Sequence, residues 1–303
     1  MILRRSKMAP FSASVLLLAL VVLCAAPIQS AALDLSQKTE KGIVYATVDG
    51  VALKLDIAYP TDGKPPYPGL IYICGNGWGW YPTINRSQYS YDITAAAKKG
   101  YVAVTVDYRY TSIKDQGKTK YQFPAQLYDV KCAVRWLRSN GQKYRLDPGR
   151  IGAIGWSSGG HLALMLGLTS ASDSLEGECG NLSVSSKVQA VVNIAGGTDL
   201  ESLFKESPTV APMIKQLLGG TPQEVSARYF AASPINYVSS DDAPVLTIQG
   251  DNDTTVVPRQ SEMLDAKMQK IGLQHSLIWK KGSGHGNYST ENAMWEFLDR
   301  LLK

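Results

Sequence analysis

A serine in a glycine-rich turn is the first feature of this chain that could do chemistry. The run Gly-Trp-Ser-Ser-Gly at positions 155–159 follows the apolar stretch Arg150–Ile154 and precedes His161–Leu168, which has a helical pattern. A strand, a tight turn and a helix in that order hold the central serine in a strained backbone conformation, which lifts its hydroxyl clear of the sheet. The helix directs its first amides at any anion that forms there. The motif therefore predicts that Ser157 is a nucleophile for acyl transfer.

A serine hydroxyl needs a base that accepts its proton, and the chain offers three histidines. His161 lies four residues after the serine, inside the predicted helix, and we expect it to pack or to form local hydrogen bonds. His275 precedes the predicted strand Ser276–Trp279 in a polar stretch and is expected at the surface. His285 stands in a glycine-rich loop after that strand, where open α/β sheets place their sites. We therefore predict that His285 is the base.

The loop at positions 250–258 holds the candidate third member, a carboxylate that orients the histidine. It follows the apolar run Val245–Ile248 and contains two aspartates, Asp251 and Asp253. Either could hold the histidine, and the other would then tie the amides of its own loop, as aspartates in turns do. The order serine, aspartate, histidine is that of one hydrolase fold, and differs from the trypsin-like and subtilisin-like orders.

Acyl transfer also requires amides that stabilise the developing oxyanion. The amide of Ser158 is one candidate, since it follows the nucleophile directly. The other donors are expected from Cys-Gly-Asn-Gly-Trp at positions 74–78, directly after the run Leu70–Ile73. Asn76 tolerates unusual backbone angles. We therefore expect Asn76 and Gly77 to serve through their backbone amides, with the Asn76 side chain dispensable.

Alternating apolar runs and helical stretches predict the elements that position these residues. The runs Ile43–Val48 and Val51–Ala58 flank an Asp-Gly turn and predict an antiparallel hairpin. Apolar residues at steps of four and three from Phe123 to Leu137 predict a helix that covers a mostly parallel sheet. The stretch 199–232 contains three prolines, breaks the alternation, and is predicted to form a small cap. The remaining predicted strands are Leu70–Ile73, Val102–Val106, Arg150–Ile154, Ala190–Ile194, Val245–Ile248 and Ser276–Trp279.

The first 32 residues differ from the rest of the chain. Three basic residues precede the apolar run Val15–Ala26, and small residues follow it, which is typical of a secretory signal peptide cleaved after Ser30 or Ala32. The run is shorter than the about 20 residues that span a bilayer, so we expect no stable membrane insertion after cleavage. Residues 33–303 are predicted to form one domain.

Composition narrows the possible partners. With 45% hydrophobic and 19% charged residues, the chain is typical of a globular protein with a large core. Without the predicted leader it has 31 − 3 = 28 basic residues against 26 acidic ones. No basic cluster with interleaved aromatic residues appears, so no nucleic acid partner is expected. The chain lacks a His-Glu-x-x-His motif or histidine pair, so no metal is expected.

The cysteines permit at most one disulfide in the mature chain. Cys24 lies in the predicted leader, and Cys74, Cys132 and Cys179 remain. Their spacing does not say which two would pair.

Taken together, these motifs resemble those of the bacterial esterases and lipases related to hormone-sensitive lipase and to the feruloyl and acetyl-xylan esterases. The resemblance covers residues 43 to 302. It implies the α/β-hydrolase fold, with a mostly parallel central sheet, helices on both faces and a small cap insertion. Besides the motifs above, it rests on Asp107-Tyr108-Arg109, Phe123-Pro124 and Asp129-Val130-Lys131.

The resemblance also implies roles for several residues. The loop at 250–258 is similar to the Gly-Asp-x-Asp-x-x-Val-Pro loop of these esterases, whose second aspartate binds the histidine, and this favours Asp253. Cys74 and Asn76 depart from the family, which carries histidine and glycine there in a His-Gly-Gly-Gly-Trp run. Asp107, Arg109 and Asp129 resemble family positions that look structural. We therefore expect these three residues to form ion pairs that support the fold. Trp78 and Trp80 either wall the pocket or pack beside it.

The resemblance implies hydrolysis of carboxylic esters through an acyl-enzyme, with no cofactor. Together with the predicted leader, it suggests a secreted or periplasmic enzyme that acts on small-molecule or polysaccharide-linked esters, such as acetyl or hydroxycinnamoyl esters. Two alternatives remain open: a serine peptidase similar to prolyl oligopeptidase, although the chain has no room for that enzyme's propeller, and a non-catalytic binding protein that kept the fold. The sequence leaves the oligomeric state unspecified.

Overall fold

An eight-stranded sheet organises the residues that this computed structural model describes, 34–288 and 291–303. The predicted signal peptide, residues 1–32, lies outside the described residues. The strands of the sheet are β1 (Gln37–Val48), β2 (Val51–Pro60), β3 (Tyr67–Ile73), β4 (Val102–Val106), β7 (Leu146–Trp156), β8 (Ala190–Ile194), β9 (Val245–Gly250) and β10 (His275–Lys280), and a separate small hairpin consists of β5 (Lys114–Asp115) and β6 (Lys118–Thr119).

The spatial order of the strands is β1-β2-β4-β3-β7-β8-β9-β10. The hairpin β1–β2 is antiparallel, as its Asp-Gly turn predicts, and β2 pairs antiparallel with β4. From β4 to β10 every neighbouring pair is parallel. All residues of β3, β4, β8 and β9 are buried, which explains why these strands appear in the sequence as continuous apolar runs. The predicted mostly parallel sheet is confirmed.

Helices cover both faces of this sheet. Side chains of α1 and α9 join one hydrophobic core, whereas α2, α4 and α8 contribute to the core on the opposite face. The apolar stripe predicted on α2 is confirmed, because Leu127, Val130, Val134 and Leu137 are fully buried. No helix among the described residues has the length and apolar character needed to cross a bilayer. The helices are α1 (Ser90–Lys98), α2 (Ala125–Ser139), α3 (Gly141–Tyr144), α4 (Ser158–Leu168), α5 (Leu200–Glu206), α6 (Ala211–Leu218), α7 (Ser226–Ala231), α8 (Arg259–Ile271) and α9 (Asn292–Leu302).

The stretch 199–232 consists of three short helices, α5, α6 and α7. The side chain of Asp199 accepts hydrogen bonds from the first amides of α5 and so begins that helix. Pro212 lies in the first turn of α6, where its missing amide hydrogen costs no helical hydrogen bond. Gly219, with φ of 81°, ends α6 in the left-handed conformation that glycine adopts easily. Local signals thus set the bounds of these helices.

One disulfide joins Cys132 of α2 to Cys179, in the segment between α4 and β8. Cys74 is a free, buried thiol, and burial raises its pKa to about 12. Beside the disulfide, the buried guanidinium of Arg135 donates to the carbonyl of Cys179 at 2.8 Å and to the carboxylate of Glu176 at 2.9 Å. The segment around Cys179 is therefore held to α2 covalently and by charge-assisted hydrogen bonds.

The disulfide is expected to contribute measurably to stability. Replacing both Cys132 and Cys179 with alanine should lower the free energy of unfolding by about 2 to 4 kcal/mol, because the cross-link restricts the unfolded chain. Urea unfolding with and without reductant measures this. Cys74→Ala is the matched control, since it removes a buried thiol and keeps the bridge. Reductant should destabilise the wild type and the control but leave the double variant unchanged; equal sensitivity of all three would contradict the assignment.

Candidate active site

Ser157 occupies a sharp turn between β7 and α4. Its φ of 56° and ψ of −123° lie in a region that side-chain-bearing residues rarely adopt, and its amide donates to the carbonyl of Ile194 at 2.8 Å. The flanking positions must be glycine, because neither has space for a side chain. A methyl group on Gly155 would lie 2.0 Å from the Gly159 carbonyl oxygen, and one on Gly159 would lie 2.0 Å from that of Ile73. The turn predicted from the sequence is therefore present, and α4 begins at Ser158, directly after the serine.

His285 lies in the loop after β10 and contacts Asp253. The Nδ1 atom of His285 is 2.7 Å from Oδ2 of Asp253, and the aspartate is only 2% exposed. The other oxygen, Oδ1, accepts hydrogen bonds from the amides of Thr255 at 2.8 Å and Val256 at 2.9 Å. A carboxylate held in this way orients the imidazole with its proton on Nδ1, so that Nε2 is left to accept a proton.

The two aspartates of this loop have different partners in the structure. Asp251 is exposed, and its carboxylate accepts a hydrogen bond from the amide of Gly282 at 2.7 Å. It therefore ties its own loop to the turn that precedes His285. Asp253 is the aspartate that contacts the imidazole.

The other two histidines are engaged elsewhere. His161 is fully buried; its Nε2 lies 2.7 Å from the carbonyl oxygen of Ala232, and its Nδ1 accepts from the indole of Trp78 at 3.1 Å. Burial lowers the pKa of His161 to about 4, so the ring is neutral near pH 7. The ring packs in the core against Trp78, as one of the two expectations had it, and its hydrogen-bond partners are distant along the chain rather than local. His275 belongs to β10 and contacts the carboxylate of Asp265 at 2.7 Å; it is half-buried rather than exposed, because α8 covers it.

The Asn76 side chain organises the loop at positions 74–84. It is buried, its Nδ2 donates to the carbonyl of Ile84 at 2.9 Å, and its Oδ1 accepts from the amide of Gly79 at 2.7 Å and from the hydroxyl of Tyr108 at 2.5 Å. Its backbone amide donates to the Ser158 hydroxyl at 3.0 Å. The side chain therefore closes the loop by bonds to groups that the sequence pattern does not bring together, and these bonds lead us to expect that it is needed.

The same loop lies against the nucleophile turn. A methyl group on Gly75 would lie 2.2 Å from the carbonyl oxygen of Trp156, so the two backbones are in direct contact. Gly77 has φ of 64° and follows Asn76 at the pocket wall. Ser158 is the first residue of α4, and first-turn amides have no acceptor within their own helix. Gly77 and Ser158, the two predicted donors, both line the cavity that holds Ser157.

Tyr108 is a site residue that the sequence reasoning missed. It is the second residue after β4, at the same carboxyl edge of the sheet as Ser157, and this position could have indicated its role. Its neighbour Arg109 forms the expected scaffold, with Nη2 at 2.9 Å from Asp129 and Nη1 at 2.8 Å from Asp49. Asp107 also fits the expected scaffold, since it pairs with Arg86.

A cavity of about 220 Å³ brings the candidate residues together. Asp253 contacts His285 but does not line the cavity. Trp78 lines the cavity, whereas Trp80 packs beside the loop. Among the described residues, no group of three or more histidine, cysteine or acidic side chains is placed to hold a metal ion. The predicted residues in the cavity wall are Asn76, Gly77, Ser157, Ser158 and His285.

The chain is similar in sequence to a family model and to several proteins named as esterases or ester hydrolases. The sequence model of the BD-FAE family matches residues 55–268 of the 303. Esterase LipC of Mycobacterium tuberculosis (strain ATCC 25618 / H37Rv) is 29% identical over 227 residues, which are 73% of this chain and 53% of LipC. Neutral cholesterol ester hydrolase 1 of Bos taurus is 32% identical over 146 residues, 48% of this chain and 33% of that protein. The chain spans about half the length of the mycobacterial relatives it matches.

Solved structures are similar over most of the chain. A truncated carbohydrate esterase from gut microbiota superposes with a TM-score of 0.77 and 29% identity, covering 89% of this chain and 98% of the other. Esterase 2 of Thermogutta terrifontis, phosphorylated by paraoxon, gives a TM-score of 0.67 at 25% identity, covering 86% and 91%. These similarities confirm the α/β-hydrolase fold.

Asn76→Gly is expected to reduce ester turnover about a hundredfold, because a displacement of about 1 Å in a donor loop has an effect of that size. Steady-state hydrolysis of p-nitrophenyl acetate would show the loss mainly in kcat. Asn85→Gly is the matched control, since the Asn85 side chain contacts only nearby backbone at 3.0 and 3.3 Å. Tyr108→Phe removes one of the three side-chain bonds and should have an intermediate effect. Full activity of Asn76→Gly would show that the backbone alone holds the loop.

Proposed function

The chain belongs to the BD-FAE family, and on that premise we propose that it is a carboxylic-ester hydrolase that forms an acyl-enzyme on Ser157. One observation carries the proposal: His285, held by a buried carboxylate, lines the same small cavity as a serine in a strained turn. The relatives named as esterases support the reaction class.

In the proposed mechanism, Nε2 of His285 takes the hydroxyl proton of Ser157 while the serine oxygen attacks the ester carbonyl. The amides of Gly77 and Ser158 stabilise the resulting oxyanion. The intermediate collapses as the imidazolium returns the proton to the departing alcohol. Water then repeats the sequence on the acyl-enzyme and releases the carboxylic acid, which restores the serine.

Asp253 acts through the histidine. Its carboxylate accepts hydrogen bonds from two backbone amides and from the imidazole. It stabilises the imidazolium that forms during each transfer and prevents the ring from turning.

The proposed substrates are acyl esters of carbohydrates or of small alcohols. Similarity to a carbohydrate esterase, and to the bifunctional GH43-CE protein of Bacteroides eggerthii at 30% identity and a TM-score of 0.77, supports the carbohydrate alcohol.

We also propose that the enzyme is exported. The leader-like composition of residues 1–32 supports this, and so does the disulfide, because disulfides persist in oxidising compartments.

Export predicts cleavage of the leader after Ser30 or Ala32. Intact mass and N-terminal sequencing of protein from the extracytoplasmic fraction would show the shortened chain. Leu17→Arg, which interrupts the apolar run, is the control and should leave the full chain in the cytoplasm. Recovery of the uncut wild-type chain from the cytoplasm would contradict export.

The catalytic roles predict that Ser157→Ala and His285→Ala each lower turnover at least about a thousandfold without unfolding the protein, since such residues act as a unit. Hydrolysis of p-nitrophenyl acetate and of a prolyl-anilide measures the loss and separates esterase from peptidase activity. A fluorophosphonate probe should label Ser157 in the wild type. Failure to label it would favour a binding protein that kept the fold.

The two aspartates provide a matched pair within this test. Asp253→Asn should lower turnover about ten-thousandfold, because the histidine is then held in the wrong tautomer. Asp251→Asn changes an exposed side chain in the same loop and should have little effect. The reverse ranking would assign the orienting role to Asp251.

A further inference from the structure

Helices α5 and α6 supply a roof over the candidate active site. Leu203 of α5, Val210, which precedes α6, and Met213 of α6 line the same cavity as Ser157 and His285. All three roof residues are at most 7% exposed. Their side chains are therefore part of the pocket interior and not of the outer surface.

The roof contacts the loop that holds the proposed oxyanion donors. A methyl group on Gly77 would lie 2.9 Å from the sulphur of Met213, so the Met213 side chain lies directly against this backbone. On the other side, a methyl group on Gly197 would lie 2.9 Å from Cδ2 of Leu203. The space available to an acyl group bound beside Gly77 is therefore bounded by Met213 and Leu203.

Buried hydrogen bonds fix this roof in place. The hydroxyl of Ser207, which is fully buried between α5 and α6, donates to the carbonyl of Thr255 at 2.7 Å. The amide of Val210 donates to the carbonyl of Ser207 at 3.2 Å. Thr255 itself donates to Asp253, so the roof is tied to the loop that orients the histidine. Moving the roof aside would leave buried polar groups unpaired, which is costly.

The cavity is small and its wall is uncharged. Its volume of about 220 Å³ is below the range of about 300 to 1,000 Å³ that is usual for pockets that bury drug-sized ligands. The described residues that form its wall include no aspartate, glutamate, lysine or arginine. A charged acyl group would therefore lose its hydration without gaining an ion-pair partner.

We propose that Met213, together with Leu203, limits the enzyme to esters of small, uncharged acyl groups of the size of acetyl or propionyl. The inference rests on the proposed function and narrows it: a hydroxycinnamoyl or long-chain acyl group bound beside Gly77 would have to displace the side chains of Met213 and Leu203. Met213 is a specificity-determining residue in this assignment.

The test is a series of p-nitrophenyl esters with one alcohol and three acyl groups, acetyl, butyryl and octanoyl, together with p-nitrophenyl ferulate. The wild type should show kcat/KM at least about a hundredfold higher for acetate than for octanoate or ferulate, since the excess groups clash with a fixed wall. Met213→Ala should raise the octanoate-to-acetate ratio of kcat/KM at least about tenfold.

Ile214→Ala is the matched control, because Ile214 is the next residue of α6 and is fully buried in the core outside the cavity wall. It should lower stability and leave the acyl ratio unchanged. Equal ratios in the two variants, or a wild type that hydrolyses octanoate or ferulate as fast as acetate, would overturn the roof assignment. A wild type that hydrolyses no ester and escapes the fluorophosphonate probe would instead overturn the proposed function, so the two failures are distinguishable.

Discussion

Direct backbone contact at the nucleophile turn is the constraint on which the rest of the site depends. A methyl group on Gly159 would lie 2.0 Å from the carbonyl oxygen of Ile73, and one on Gly75 would lie 2.2 Å from that of Trp156. Without side chains at these positions, the start of α4, the end of β3 and the loop that follows β3 can approach to contact. This approach places the Ser158 amide beside the loop that carries Gly77. Any side chain at Gly75 or Gly159 would separate the two sources of oxyanion donors.

Around this contact, the side chains of Asn76 and Asp253 are buried and hydrogen-bonded. Asn76 forms hydrogen bonds through both its Oδ1 and its Nδ2, and Asp253 accepts from two backbone amides besides the imidazole. Buried networks of this kind are costly when incomplete and rigid when every member is satisfied. Rigidity is what catalysis by fixed dipoles requires, because donors that already point at the oxyanion need no reorganisation during the reaction. At position 76, where the resemblance implies glycine, the asparagine side chain holds the loop by hydrogen bonds.

The cap contributes to the site in a different way. Its helices begin and end at local signals such as Asp199 and Gly219, yet their position over the cavity depends on apolar contacts and on hydrogen bonds to distant segments, among them the bond from the buried hydroxyl of Ser207 to Thr255. In the proposed function, the turns and loops at the carboxyl edge of the sheet carry the chemistry, and the insertion limits the size of the acyl group.

The sequence by itself determined the sheet, the nucleophile turn and the choice of Ser157 and His285 as candidates, because each depends on residues adjacent in the chain. Apolar periodicity and glycine spacing are local, and local patterns encode strands, helices and turns. The tertiary structure alone decided that Cys132 pairs with Cys179, that Tyr108 contacts the side chain of Asn76 and that Met213 lines the cavity, and it placed Asp253, which the resemblance favoured, against His285. These contacts depend on distances between segments that are far apart in the sequence. The spacing of apolar residues along the chain does not encode such distances.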